Sequence, residues 1–260
     1  MNTMQVQGGK TLITAAVADG IGGYPGGQQA AADAVQAFSF EIIARRLITA
    51  QQEGIWDPAQ AVLAGFHAAN DAVICSAMSD PDLADMGTTL TAGVIDRGTF
   101  HLASVGDSRC YRLCRVTESL CQLTHDDSAL QDLIDRGEEP VSPLDRLFIE
   151  NVITNCLGHF GDLKDLEVAS YPLEPGDIIL VCSDGLWKHQ HEMLEAECTA
   201  LAASMFDQKR LEVAAQTMVE KALEAGSMDN VTIALCWADP MGKENGTCKP
   251  HPTDSNQEED

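Results

Sequence analysis

Four aspartates stand where runs of apolar and β-branched residues stop. Asp19 closes "TLITAAVAD", Asp107 closes "HLASVGD", Asp184 closes "IILVCSD", and Asp229, in "GSMDNVT", directly precedes the last apolar run. Each has a glycine or an asparagine beside it. One such acid is an ordinary turn residue. Four of them at the lips of strands in a central sheet repel one another unless a cation neutralises them. An all-oxygen set suits Mg²⁺ or Mn²⁺ rather than zinc, and no His/Cys cluster with zinc spacing competes with it. Gly20 belongs with the set, because a residue without a side chain lets its carbonyl approach a metal closely. The spacing therefore predicts a dinuclear hard-metal site. Such sites lower the pKa of bound water and clamp phosphoryl oxygens, the chemistry of phosphate-ester hydrolysis.

The elements that must position these acids follow from periodicity. "KTLITAAVAD" reads as a strand, and residues 26–52 and 58–78 have helical spacing, the second opened by Pro58. The period then changes to that of strands in "TTLTAGVID", "TFHLASVGD" and "RCYRLCRV", which predicts an antiparallel meander. A helix is expected over 126–138, an irregular surface flap over 139–163, and strands in "EVASYPL" and "DIILVCSD". Helices near 192–205 and 209–225 precede a last strand, "NVTIALCWA". Strand groups flanking helix pairs, without regular βαβ alternation, predict an α+β fold in four αββα layers: two central antiparallel sheets flanked by helical hairpins. One domain over residues 1–239 is expected, followed by a disordered polar tail over 240–260.

The chain of 260 residues carries 40 acids against 16 bases, a formal charge of −24. Such a surface disfavours nucleic acid and anionic membrane, since it cannot displace phosphate counterions. No apolar run approaches a membrane span, and "MNTMQVQGGK" lacks the features of a signal peptide, so the expected compartment is the cytoplasm. The nine cysteines are scattered without a CxxC pair and read as reduced, mostly buried thiols.

In order along nearly the whole chain, short motifs resemble those of the metal-dependent serine/threonine protein phosphatases of type 2C, the PPM family, in its bacterial form. "VADGIGG" resembles the first aspartate motif and "GTTL" the GTT element. "SVGDSRCY" resembles GDSR, and "QLTHDDS" the L-T-x-D-H-S segment. "NVITNCLG", "CSDGLW" and "DNVT" resemble the closing three motifs. The resemblance implies that Asp19 bridges two Mn²⁺ or Mg²⁺ ions and that the Gly20 carbonyl binds one of them. It implies that Asp184 and Asp229 complete the first site, and that Asp107 serves a third, weaker ion together with Asp184. A metal-bridging hydroxide would then attack phosphoserine or phosphothreonine of a protein substrate, with Asp19, Asp184 and Asp229 as the catalytic set. A cognate serine/threonine kinase, its targets or an anti-sigma-factor switch are the implied partners. Arg109 and Asn230 would support the site, and His101 and His125 are given no role.

Three departures from the family pattern stand out. The family carries a phosphate-binding Arg and an R-x-x-N-E-D-type segment before the first aspartate motif. Only 18 residues precede Asp19, and "MNTMQVQGGKTLIT" contains neither. That implies a start assigned downstream of the natural one, or a trimmed variant that keeps its metal ligands and loses phosphate affinity. The alternative function is accordingly a pseudophosphatase, a phosphoprotein-binding or regulatory module with weak or no turnover. Ile21 stands where animal and plant members often have His, a bacterial trait that leaves water as the acid. Lys188 stands where the family often has Asp, and little effect is expected from it.

Overall fold

A computed structural model describes residues 2–6, 10–21, 26–52, 54–140, 142–158, 163, 166–188, 191–202 and 208–238. The tail expected over 240–260 lies outside the described residues, as do "GGYP" and parts of the expected flap. Among the described residues, nine strands form two sheets. The first holds β1 (Asn2–Val6), β2 (Lys10–Val17), β3 (Leu90–Asp96), β4 (Thr99–Val105) and β7 (Ala169–Pro172), in the spatial order β1-β2-β3-β4-β7. The second holds β5 (Arg109–Cys114), β6 (Ser119–Gln122), β8 (Ile178–Cys182) and β9 (Ile233–Trp237), in the order β6-β5-β8-β9. Every strand pair is antiparallel.

The central strands show why these are inner layers. β3 and β8 are buried at every residue, so neither has a solvent face. Their side chains divide by parity. In β8, Ile178, Leu180 and Cys182 enter one apolar cluster, while Ile179 and Val181 enter another. The second cluster also contains Ala15, Val17, Phe100 and Leu102 from the first sheet, and it is the seam between the sheets. Helices α1 (Gly27–Gln51) and α2 (Pro58–Ser79) cover the outer face of the first sheet through Phe38, Ile42, Val62, Phe66 and Val73. Phe38 and Phe66 meet edge to face at 5.7 Å. Their helices can come that close because a Cβ on Gly65 would fall 2.7 Å from the Phe38 ring. Helices α6 (His191–Ala202) and α7 (Gln208–Glu224) cover the second sheet through Leu194, Cys198, Leu211 and Met218. The four expected layers are therefore present.

Several sequence expectations need correcting. The three strands read as a meander do not stay together. β3 pairs with β4, but Gly106, with φ 99°, turns the chain so that β5 joins the other sheet. The residues before β2 form an edge strand, β1, and β6 is a short strand that pairs with β5. Both lack a long apolar alternation. Within the segment expected to be irregular lies α4 (Pro143–Ile149), capped by Ser142, whose Oγ accepts the Asp145 N–H at 3.1 Å. It follows α3 (Ala129–Asp135), shorter than expected. The expectation that no run approaches a membrane span also fails on length, since α2 has 22 residues and contains an 18-residue stretch of mean hydropathy 1.3. Its apolar face is nonetheless spent inside the fold: Ala61, Val62, Phe66, Ala69 and Val73 are buried against α1 and the first sheet.

The eight cysteines among the described residues form no disulfide, and five of them are buried.

Candidate metal centre and active site

Asp19 leaves the end of β2 on a backbone clamped by two threonines. Its N–H donates to Thr89 Oγ1 at 3.0 Å, and its carbonyl accepts from Thr88 Oγ1 and the Thr89 N–H, each at 2.9 Å. Thr88 and Thr89 are fully or nearly fully buried and belong to the GTT element. That motif therefore fixes the direction in which Asp19 points. Gly20 pairs with Thr88 in an isolated bridge, and a Cβ there would lie 2.1 Å from the carbonyl oxygen of Gly27, the first residue of α1. Helix approach thus demands glycine at this position, a reason separate from metal access. Gly20→Ala is expected to cost roughly 1–3 kcal/mol, because backbone cannot move aside as a side chain would. A melting temperature unchanged from wild type would overturn that reading.

Asp184 opens a short helix, α5 (Asp184–Trp187), at the end of β8. The loop holding Asp229 is tied to it by three side-chain hydrogen bonds. Ser183 Oγ donates to the Asn230 carbonyl (3.1 Å) and accepts the Thr232 N–H (3.0 Å), while Ser227 Oγ donates to the Gly185 carbonyl (2.9 Å). A Cβ on Gly185 would stand 2.5 Å from the Asn230 oxygen, so this glycine lets the two loops touch. Asp229 itself is exposed and accepts the Asn230 N–H at 2.7 Å.

Asp107 is buried at the crossover from β4 to β5. Its carbonyl accepts the Trp187 indole N–H at 3.1 Å, which joins this turn to α5. Arg109 holds the same region from below. It grips Asp126 in a bidentate pair (2.9 and 2.7 Å), donates to Tyr111 Oη (3.2 Å) and stacks 3.3 Å over the Trp187 ring. A guanidinium so fully engaged supports the site and is not available to substrate. His101 and His125 are occupied by Ser170 and Asp135.

The four strand-end acids meet electrostatically. Burial, then the charge and hydrogen-bonding reach of Asp184, then the charges of Asp229 and Asp107, push the Asp19 carboxyl up from 3.8 to about 8. Asp107 is also raised, chiefly by burial. Asp184 Oδ1 is buried and, among ionised neighbours, has no donor. An all-oxygen cluster with a buried orphan oxygen, and with acid charges raising Asp19, fits a hard divalent cation at the Asp19–Asp184 end. Among the described residues no three metal-ligating groups already surround one point. Two features account for this. Asp229 faces solvent, and Lys188 holds Asp184 and Asp107: its Nζ donates to Asp184 Oδ2 at 2.5 Å and lies 3.3 Å from Asp107 Oδ2. Lys188, from which little effect is expected, thus lies against two of the four acids. Burial works to lower its ammonium, but the charge of Asp107 and the bond to Asp184 outweigh it and hold the group above its ordinary value. The signal was present in the sequence, since Asp184 and Lys188 are four residues apart across a helical turn.

Of the four acids, Asp184 and Asp229 open onto a cleft of about 620 Å³. Arg146 and Glu150 from the α4 region, Gln131 and Ile134 from α3, and Met228 line it together with Asp184, Lys188 and Asp229.

A four-layer αββα sandwich with acids gathered at one end of its two sheets defines a metal-dependent phosphatase fold. The Protein phosphatase 2C family profile matches residues 2–225, and the chain belongs to that family. It is 31% identical to the serine/threonine phosphatase stp of Listeria innocua over 230 residues, 87% of this chain and 85% of that protein. It is 32% identical to the serine/threonine protein phosphatase PstP of Mycobacterium tuberculosis over 96% of this chain and 44% of that protein. The crystal structure of PstP/Ppp from M. tuberculosis superimposes with a TM-score of 0.68 at 26% identity, covering 91% of this chain and 94% of that one. The catalytic domain of PstP in complex with two manganese ions does so with a TM-score of 0.65 at 28% identity, covering 89% and 92%.

Proposed function

We propose that the chain hydrolyses phosphoserine and phosphothreonine in proteins, using Mn²⁺ or Mg²⁺ held by Asp19, the Gly20 carbonyl, Asp184 and Asp229. The observation that supports this most strongly is the state of Asp19, whose carboxyl is held at about 8 by burial and by the nearby charges of Asp184, Asp229 and Asp107. Divalent ions bound there would supply Lewis acidity and an activated water to a phosphate ester. The protein's own part is placement. Thr88 and Thr89 aim Asp19, the Ser183 and Ser227 hydroxyls hold the Asp184 and Asp229 loops together, and the Arg109–Trp187 stack fixes the floor. The names of the relatives and the manganese in the PstP structure point the same way.

Arg146, exposed at the cleft, is the cation we assign to the incoming phosphate, because Arg109 is consumed by Asp126. Exposed Met228 (98%) and Ile134 (51%) on the same rim suit the flanks of a peptide better than a small phosphorylated metabolite. Met228→Ala should raise KM for a phosphothreonine peptide about threefold while leaving KM for p-nitrophenyl phosphate unchanged, as expected for a rim contact. Equal shifts for both substrates would count against a peptide-binding rim. The cytoplasm, where thiols stay reduced, is the compartment we assign, and a serine/threonine kinase the opposing activity. Residues 1–239 are assigned as one phosphatase domain and 240–260 as a polar tail.

The direct test is release of phosphate from a phosphothreonine peptide with Mn²⁺, abolished by EDTA. No turnover by a folded protein that binds Mn²⁺ would instead identify a pseudophosphatase.

A further inference from the structure

The ammonium of Lys188 has three N–H groups and three acceptors around it. Asp184 Oδ2 lies at 2.5 Å, Asn151 Oδ1 at 3.0 Å and Asp107 Oδ2 at 3.3 Å. All of its donor capacity is therefore spent inside the protein. Two of the three acceptors are the carboxylates that the family resemblance assigned to a third, weaker ion. The third, Asn151, follows α4 on the segment that rims the cleft.

We propose that the Lys188 ammonium fills the cation position between Asp107 and Asp184, so that this chain binds divalent ions only at the Asp19, Asp184 and Asp229 end of the site. This rests on the dinuclear reading above. Two carboxylates alone make a weak divalent site, because Mn²⁺ and Mg²⁺ take about six oxygen ligands and water must then supply the rest. A tethered ammonium needs no encounter from solution and competes at a high effective concentration. It is also fixed in place. Lys188 caps α5, its N–H donates to the Asp184 carbonyl at 3.0 Å, and its side chain is only 16% exposed. A third ion would have to expel this lysine from both carboxylates and from Asn151. Through Asn151 the same ammonium ties the cleft rim to the metal-binding acids, so exchange of a third ion cannot reposition that rim.

Counting bound Mn²⁺ by equilibrium dialysis and elemental analysis tests this without reference to turnover. The wild-type protein should saturate at two ions and gain no more at millimolar Mn²⁺. Lys188→Ala should gain a third, weaker ion, and Lys188→Gln should do the same if the alanine variant folds poorly. Adding Asp107→Asn to either should return the count to two. Three ions on the wild type would overturn the inference, as would a count of two on a folded Lys188 variant. A third ion that survives Asp107→Asn would also overturn it. A wild type that binds no Mn²⁺ at all would overturn the dinuclear reading itself, a result distinct from these.

Discussion

Asp184→Asn is expected to lower Mn²⁺-dependent hydrolysis of p-nitrophenyl phosphate by about a thousandfold, equivalent to roughly 4 kcal/mol of transition-state stabilisation. The substitution keeps the side chain's volume but removes the charge on the carboxylate that approaches Asp19 and carries the buried orphan oxygen. It also leaves Lys188 with one fewer ionised partner. The variant should remain folded, because the Asp184 backbone is held by neighbouring hydrogen bonds and not by its own carboxylate. Activity within tenfold of wild type, with normal Mn²⁺ binding, would remove Asp184 from the catalytic set.

The second large effect concerns stability without metal. The Asp19 carboxyl titrates near 3.8 in the unfolded chain and at about 8 in the folded one. Between those values the folded state binds more protons than the unfolded state. Stability of the metal-free protein should therefore fall as pH rises from about 4 to about 8. Solvent screening limits the Asp19 contribution to ~2 kcal/mol. A divalent ion replaces the proton as the neutralising charge. Mn²⁺ at a hundred times its dissociation constant adds about 2.7 kcal/mol, roughly 5–10 °C in melting temperature for a domain of this size. Melting curves in EDTA and in Mn²⁺ across this pH range should diverge as pH rises. Asp19→Asn should flatten the EDTA curve by removing the raised group. Parallel curves, or a metal-free protein that grows more stable towards pH 8, would contradict the clustering of the four acids.

The alternation and helical periods of the sequence specify most of the elements in order. Strands at 90–96, 99–105 and 178–182 and the helices flanking them are local decisions, set by runs of apolar residues and by caps such as Asp57 before Pro58. The four acids are legible for the same reason: each ends an apolar run, and strand ends are where a buried sheet meets solvent. Elements with weak local patterns were not legible. β1 and β6 are edge strands with few apolar residues, and α4 is a capped helix of about two turns in a segment of mixed composition.

What only the tertiary structure decided depends on residues far apart in the chain. Nothing local tells β5 to leave β4 for the second sheet. That choice follows from the Gly106 turn and from burying Tyr111 and Leu113 under α6 and α7. The glycine at position 20 suggests metal access when read alone, whereas its neighbour in space is the start of α1. Lys188 is the sharpest case. Its pairing with Asp184 is a helical neighbour relation that the sequence contains. Its contacts with Asp107 and Asn151 join residues 81 and 37 positions away. Sequence by itself determined which acids line the sheet edges, because that is a matter of period and run length. Only packing determined which cation meets two of them, because that depends on β5, α5 and the cleft rim converging on one buried point.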